Sequence, residues 1–192
     1  MVNELKIVQT LGKNLKNEMT MRQLSIDSNI PYTSTLRFIK ENKNLFVINK
    51  KGNINLISLN LNDSITKNYL IVAERKECEE YINKNANFKI LVRDLPKGDY
   101  CLILFGSRAE GKERKKSDVD LCIINKDGKK NLSFSKFELL TQLEVNPMFF
   151  MNQEFKLMLK EKEHNLADEI IKKHIILYGE EYFWNLVWKN VV

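Results

Sequence analysis

Two aspartates, Asp118 and Asp120, stand two residues apart in a pattern that could do chemistry. They open the run Asp118–Ile124, whose remaining residues are apolar and predict a buried strand. Residues i and i+2 of a strand point to the same face, about 6–7 Å apart along the backbone, so the carboxylates project together. Two negative charges this close repel each other unless a cation lies between them. The pair therefore predicts a site for Mg²⁺ or Mn²⁺, which prefer oxygen ligands.

A glycine and a serine stand at the end of a second apolar run, Tyr100–Phe105, which also predicts a buried strand. Gly106 lets the backbone approach a ligand without a Cβ clash. Ser107 adds a hydroxyl at the start of a predicted helix, where free N–H groups bind phosphate. Arg108 could add positive charge for the same phosphates. A nucleoside triphosphate fits between these parts, with its phosphates at the turn and a metal ion against the aspartates.

These motifs resemble a known family. Leu104-Phe105-Gly106-Ser107-Arg108-Ala109-x-Gly111, followed by Ser117-Asp118-Val119-Asp120-Leu121, is similar to the signature of the DNA polymerase beta-like nucleotidyltransferase superfamily, especially its smallest, minimal members. The resemblance covers residues 86–185 in outline and about 104–122 in its specific motif. It implies that Gly106 and Ser107 hold the triphosphate and that Asp118 and Asp120 ligate one or two Mg²⁺ ions. It also implies that a nucleoside monophosphate is transferred to a hydroxyl, with ATP as the expected donor of AMP.

The family pattern also asks for a third carboxylate on a later strand, as a metal ligand or as the base for the acceptor hydroxyl. The predicted strand is Leu143–Phe150, where Glu144 and Asn146 share a face. If Glu144 takes the third position, the metal-binding and catalytic triad of Asp118, Asp120 and Glu144 is complete. If Asn146 takes it, activity is reduced or absent. We favour Glu144.

The N-terminal segment, 1–62, predicts a different kind of module. Its residues predict four elements: a helix at Glu4–Leu15, a short helix capped by Thr20, a third helix at 32–42 and a hairpin around Gly52. In this order, the elements resemble the winged helix-turn-helix of prokaryotic transcription regulators. The resemblance places a DNA-binding surface on the third helix and on the wing. Its residues are Thr33, Ser34, Arg37, Lys40, Lys50 and Lys51. A helix-turn-helix that serves only protein contacts or dimerisation is the alternative.

The distribution of charge supports a polyanion-binding module at this end of the chain. The 192 residues carry a net charge of +6. Nine Lys or Arg and four Asp or Glu lie within segment 1–62, against 22 and 21 in the rest of the chain. Nearly all of the basic excess is therefore N-terminal, which suits contact with phosphates. A solvated lysine-rich surface is the other interpretation.

The rest of the sequence bounds the class of protein. Three cysteines without metal-ligand spacing predict buried thiols, and the absence of a signal peptide or a long apolar run predicts a cytoplasmic protein without membrane contact. His164 and His174 lack ligand spacing. Helices are predicted over Gln153–Leu159 and Leu166–Leu177, with Gly179 ending a helix. The dense aromatic residues of the tail predict a core edge or, as the alternative, a dimer or partner interface.

We therefore expect an α+β fold of three parts: a winged helix-turn-helix over 1–62, a linker helix over 63–85 and a small α/β nucleotidyltransferase domain with C-terminal helices over 86–192. The expected function is Mg²⁺-dependent nucleotide transfer to a protein or small molecule. Minimal relatives include antitoxins that nucleotidylate a helical ribonuclease (HEPN) toxin, which implies an antitoxin-like role with a toxin partner. Alternatives are a transcription regulator that only senses nucleotide and a protein that only masks a partner.

Overall fold

The computed structural model describes residues 4–114, 117–129, 132–161, 163–188 and 190. Within these residues the fold is mixed α+β, with helices and two separate sheets, which confirms the expected fold class. The chain divides into two compact units, one up to Ala73 and one from Glu74 onward. The division falls inside a long helix, Ser64–Lys84, in the segment that the sequence predicts as a linker helix.

The N-terminal unit runs in the order helix, short strand, two helices and hairpin. Its elements are α1 (Leu5–Gly12), β1 (Met19–Thr20), α2 (Met21–Asp27), α3 (Tyr32–Glu41), a 3₁₀ turn (Lys43–Leu45), β2 (Phe46–Lys51) and β3 (Ile54–Leu59). The three strands form an antiparallel sheet in the order β1-β3-β2. The long helix Ser64–Lys84 follows as α4.

Local sequence signals explain these boundaries. The Thr20 side chain accepts a hydrogen bond from the Gln23 backbone N–H at 3.1 Å, so it caps α2 as predicted. Pro31 precedes α3, where its missing N–H costs nothing because a first-turn N–H has no helical partner. The hairpin turns at Gly52, whose φ of +60° favours glycine, and Lys51 pairs with Ile54 across the turn. The turn is therefore two residues long, and β2 continues through Lys51.

The C-terminal unit is built on a four-stranded sheet in the order β6-β5-β4-β7. Only β5 and β6 run parallel; β4 is antiparallel to both β5 and β7. Beyond α4 its elements are α5 (Asn87–Arg93), β4 (Tyr100–Leu104), α6 (Gly106–Ala109), β5 (Val119–Asn125), α7 (Ser135–Thr141), β6 (Val145–Met151), α8 (Asn152–Lys160), α9 (Leu166–Lys172), β7 (Ile175–Tyr178) and α10 (Glu180–Trp188).

Both faces of this sheet are covered, which is why β4 and β5 are apolar without alternation. Leu102, Leu104 and Leu121 lie on one face, in a core shared with Phe88 of α5 and Phe137 of α7. The opposite face is contacted by α8 and α10, which bring the fully buried side chains of Phe155, Phe183 and Trp184. The aromatic tail therefore contributes to the core, in line with the first of its two interpretations.

One predicted helix is partly wrong. The segment predicted as a helix over Leu166–Leu177 ends at Lys172, and Ile175–Tyr178 is instead strand β7, which pairs with β4. A β-branched apolar run packs well in a sheet interior, and here Ile176 and Leu177 are almost completely buried. Gly179 consequently follows a strand rather than a helix. Its φ is +77°, and a Cβ there would collide with the Tyr100 carbonyl oxygen.

The three cysteines are free and buried, as predicted. Burial raises the pKa of Cys78 to about 12 and that of Cys101 and Cys122 well above the ordinary range, so all three are inert thiols. No helix in the described part of the chain has the length and apolar character that crossing a membrane requires.

Candidate functional site

Gly106 and Asp120 are in direct contact at one end of the central strands. Strand β4 delivers the chain to Gly106, and the Phe105 N–H donates to the Asp120 carbonyl oxygen at 3.1 Å. Gly106 has a φ of +69°, and a Cβ built on it would lie 3.2 Å from Asp120 Cγ and collide with the carboxylate oxygen Oδ2. Only glycine fits here, both because of its backbone conformation and because of the close approach. The Gly-Ser turn therefore lies against one of the two predicted metal ligands.

Asp118 and Asp120 differ in their surroundings. Strand β5 begins at Val119, so Asp118 lies one residue before the strand, and Asp120 lies within it. Asp118 is exposed, whereas Asp120 is half-buried and packs against Gly106. The Val119 N–H donates to the Glu144 carbonyl oxygen at 2.8 Å, which fixes the start of β5 beside β6. The two carboxylates thus come from alternate positions, one at the mouth of the strand and one inside it.

The Arg108 side chain is buried, with 8% of the residue exposed, and it contacts the backbone just before β5. Its Nε donates to the carbonyl oxygens of Ser117 and Asp118 at 3.1 Å each, and Nη2 also donates to Ser117. These bonds hold the backbone that carries Asp118. The phosphate-binding role expected of Arg108 stays a prediction; the contacts described for its guanidinium are with this loop.

Strand β6 brings Asn146 alongside Asp120. The two residues pair in the β5–β6 register, and the Asn146 amide donates a hydrogen bond to the Asp120 carboxylate, since a carboxylate can only accept. Glu144 lies two residues earlier, just before β6, and is exposed. The sequence leaves the third position open between these two residues. In the structure the neighbour of Asp120 on β6 is Asn146.

The electrostatics of Asp120 follow from this packing. Burial raises the pKa of its carboxyl above the usual value, the Asn146 hydrogen bond acts to lower it, and the negative charge of Asp118 raises it. The net shift is upward, so the ionised form of Asp120 is under-stabilised by the protein alone. A cation between Asp118 and Asp120 would correct that imbalance.

The donor set suits a hard divalent cation, because it consists of carboxylates and an amide. Asp118 and Asp120 would hold it, with further ligands supplied by phosphate and water. Among the residues that the structure describes, no group of three or more His, Cys, Asp or Glu side chains is placed to hold a metal. Glu144 therefore does not gather with the two aspartates into a three-acid cluster here.

Ser107 lies in α6 next to a group of charged side chains that no motif of the sequence indicates. The Lys112 N–H donates to the Ser107 carbonyl oxygen at 2.9 Å. Glu110 pairs with Lys112 and with Lys173, which comes from the end of α9. The motif spacing gives no sign of Lys173, because only the pairing of β7 with β4 brings it to this end of the sheet.

In the N-terminal unit the six predicted DNA-binding residues lie on α3 and on β2. Thr33, Arg37 and Lys40 are on α3, as is Ser34. Lys50 and Lys51 are exposed near the end of β2. Two of the six have acidic partners: Arg37 Nη2 lies 3.6 Å from Glu4 Oε1, and Lys51 Nζ lies 3.2 Å from Glu18 Oε2.

Residues 100–182 match the model of a protein family described as polymerase beta, nucleotidyltransferase. The matched segment begins with β4 and contains the Gly-Ser turn, both aspartates and all four strands of the second sheet. The match shows that this part of the chain is similar to the polymerase beta-like nucleotidyltransferase superfamily, and it suggests a nucleotidyl transfer activity. No curated protein and no solved structure matched the chain.

Proposed function

We propose that this protein is a Mg²⁺-dependent nucleotidyltransferase that moves AMP from ATP to a hydroxyl group of a protein or small molecule. The main support for the proposal is the contact between Gly106 and Asp120. In the proposal, this contact places the turn that binds phosphate beside a carboxylate that binds the metal ion. The family match over residues 100–182 supports the same reaction class.

Each residue has a part in this proposal. Gly106 and Ser107 bind the triphosphate, and Asp118 and Asp120 hold the metal ion. Bound there, Mg²⁺ would offset negative charge on the phosphates and on the oxygens that form and break bonds to phosphorus. Arg108 fixes the Asp118 backbone through its bonds to Ser117 and Asp118.

The reaction forms a bond between the acceptor oxygen and the α-phosphorus. The bond from that phosphorus to the bridging oxygen breaks, and pyrophosphate leaves with the electron pair. The acceptor hydroxyl must also lose its proton. We propose that Glu144 accepts that proton, because the Glu144 backbone is bonded to Val119, the residue between the two aspartates, whereas the amide of Asn146 is not a base.

Label transfer tests this proposal. The purified protein is incubated with Mg²⁺, a cell extract as the source of acceptor, and ATP labelled at either the α- or the γ-phosphate. Nucleotidyl transfer predicts that the protein attaches α-label and no γ-label beyond what the extract alone attaches, and that the Asp118→Asn/Asp120→Asn variant adds none. Added transfer of γ-label, or added transfer of α-label that survives in the double variant, would refute it.

A second candidate function is a DNA-binding regulator whose C-terminal unit only senses nucleotide. Asn146 beside Asp120, where a third carboxylate would complete the site, favours it. The element order of the N-terminal unit and the exposed Lys40 on α3 are consistent with a winged helix that contacts phosphates. DNA binding that changes with ATP, without pyrophosphate release, would select this function over transfer.

A further inference from the structure

Glu110 holds two lysines from different parts of the chain. Its Oε2 lies 2.8 Å from Lys112 Nζ and its Oε1 lies 2.9 Å from Lys173 Nζ. One carboxylate between two ammonium groups leaves one positive charge without compensation inside the group. We call Glu110, Lys112 and Lys173 the Glu110 cluster.

The Glu110 cluster lies beside the Gly-Ser turn. The Glu110 N–H donates to the Gly106 carbonyl oxygen at 3.2 Å, and the Lys112 N–H donates to the Ser107 carbonyl oxygen at 2.9 Å. Lys173 arrives from the other side, because Ile175 at the start of β7 pairs with Leu104 at the end of β4. Two chain segments that are distant in sequence thus bring lysines to the edge of the sheet where the turn lies.

The ion pairs of the cluster are easy to exchange. The Lys112 and Lys173 side chains are 69% and 52% exposed, so each pair gains little in free energy over its solvated ions. The two lysines lower the pKa of Glu110, which is therefore ionised at neutral pH. A triphosphate carries several negative charges and would compete well with this single carboxylate for both lysines.

We propose that Lys112 and Lys173 bind the β- and γ-phosphates of the nucleotide, and that Glu110 holds both lysines at the turn until the nucleotide displaces it. The inference rests on the proposed function, since it assumes that Gly106 and Ser107 bind a triphosphate. It adds to that function a gate, formed by the Glu110 cluster, that controls ATP affinity. In this gate Lys112 and Lys173 raise the affinity for ATP, and Glu110 lowers it.

Titration calorimetry with ATP and Mg²⁺ tests whether the lysines raise the affinity for ATP and whether Glu110 lowers it. Lys173→Ala loses one charge-assisted contact and should bind ATP roughly tenfold more weakly, with a similar loss for Lys112→Ala. Glu110→Gln frees the lysines and should bind ATP about threefold more tightly. Lys173→Arg should recover most of the affinity. AMP, which has no β- or γ-phosphate, should bind all variants as it binds the original protein.

A matched pair of control variants lies at the far end of the same sheet. Asp127 and Lys129 follow the end of β5, form an exposed ion pair of 2.7 Å and are absent from the proposed site. Asp127→Asn and Lys129→Ala make the same changes of net charge and should leave ATP affinity unchanged. Thermal unfolding of every variant reports whether the fold is kept.

The results separate the two proposals. Weaker ATP binding by Lys173→Ala together with tighter binding by Glu110→Gln supports the gate. If the original protein binds ATP but folded cluster variants bind it equally well, or if the control variants change affinity as much, the gate is refuted and the proposed function stands. If the original protein does not bind ATP at all, the proposed function fails and the gate with it.

Discussion

At the scale of single residues, the site depends on a carboxylate that the protein does not fully stabilise. Asp120 is wedged between Gly106 and Asn146, half-buried, with Asp118 two residues away. Burial and the charge of Asp118 both disfavour its negative charge, and together they outweigh the Asn146 hydrogen bond. Such a residue suits a site that is completed by a cation. Two predictions about stability and ATP binding follow from its surroundings.

The first prediction concerns pH. Because the pKa of Asp120 is raised in the folded protein, the folded state holds this proton more tightly than the unfolded state. The contribution of Asp120 to stability is therefore full below its unfolded pKa and is lost as the pH rises through its folded pKa. Asp120→Asn should be more stable than the original protein at neutral pH.

Thermal unfolding from acid to neutral pH in metal-free buffer measures this effect. The advantage of Asp120→Asn should shrink as the pH falls and Asp120 becomes protonated. Glu144→Gln serves as a matched control, since it removes the charge of an exposed carboxylate that precedes the neighbouring strand. An advantage that is independent of pH would contradict the prediction.

The second prediction concerns Gly106→Ala. A methyl group here would both require a φ of +69° and displace the Asp120 carboxylate. We expect a loss of about 1–2 kcal/mol in the free energy of unfolding from the backbone alone, together with loss of ATP binding. Chemical denaturation and calorimetry measure the two effects separately.

Gly52→Ala is the control for this substitution, because Gly52 lies in the N-terminal unit, outside the proposed site. Gly52 has a similar φ of +60°, but a Cβ there meets nothing within 4 Å. It should therefore lose comparable stability while keeping ATP binding. Equal ATP binding by the two variants would show that the contact with Asp120 is not what the site needs.

At the scale of the elements, the pairing of β5 with β6 decides which residue completes the site. The register sets Asn146 against Asp120, and the bond from Val119 to the Glu144 carbonyl fixes that register at its start. Strand β6 lies at the edge of the sheet, and the Val145 N–H donates to Glu138 while the Met151 N–H donates to Glu154. Pro147 has no N–H to offer, so the edge presents few free donors to another strand.

A pair of substitutions on this strand tests the assignment of roles. Asn146→Asp places a third carboxylate beside Asp120 and should tighten Mg²⁺ binding, by about tenfold, because the site gains a negative ligand. Glu144→Gln should leave ATP binding intact and lower the rate of transfer by about a hundredfold if Glu144 accepts the proton. Metal titration and single-turnover transfer measure these two outcomes. Unchanged transfer in Glu144→Gln would remove Glu144 from the mechanism.

The elements also show what the sequence could and could not predict. The strands before Gly106 and after Asp118 were predictable, because buried strands leave continuous apolar runs between polar residues. The hairpin at Gly52 and the Thr20 cap were equally local. Strand β7 is not predictable in this way, because Ile175–Tyr178 continues the apolar pattern of α9 and only the pairing with β4 separates the two elements. Asn146 and Lys173 depend on strand register, which periodicity does not encode.

At the scale of the whole molecule, the chain carries a basic unit and a nearly neutral one. The basic excess of segment 1–62 includes Arg37, Lys40, Lys50 and Lys51. If this unit binds DNA, Arg37→Ala and Lys40→Ala should each weaken binding to every DNA sequence by a similar factor. Each should also reduce, by about 1, the steepness with which the logarithm of the binding constant falls with the logarithm of the salt concentration. Fluorescence anisotropy with duplex DNA at several salt concentrations measures the slope.

Lys129→Ala is the charge-matched control, because it removes a lysine from the C-terminal unit. An equal loss of DNA binding in this control would mean that net charge alone is responsible. Binding that is insensitive to both α3 substitutions would instead favour a protein-contact role for the N-terminal unit.

The central claim, a nucleotide site in the C-terminal unit, is tested most directly by the binding of ATP, since this step needs no acceptor. Titration calorimetry of the full chain with ATP, with and without Mg²⁺, is compared with the same titration of Asp118→Asn/Asp120→Asn, whose folding is checked by thermal unfolding. We expect tight binding only when Mg²⁺ and both aspartates are present. Equal binding by the two proteins, or binding by the original protein that does not depend on Mg²⁺, would contradict the claim.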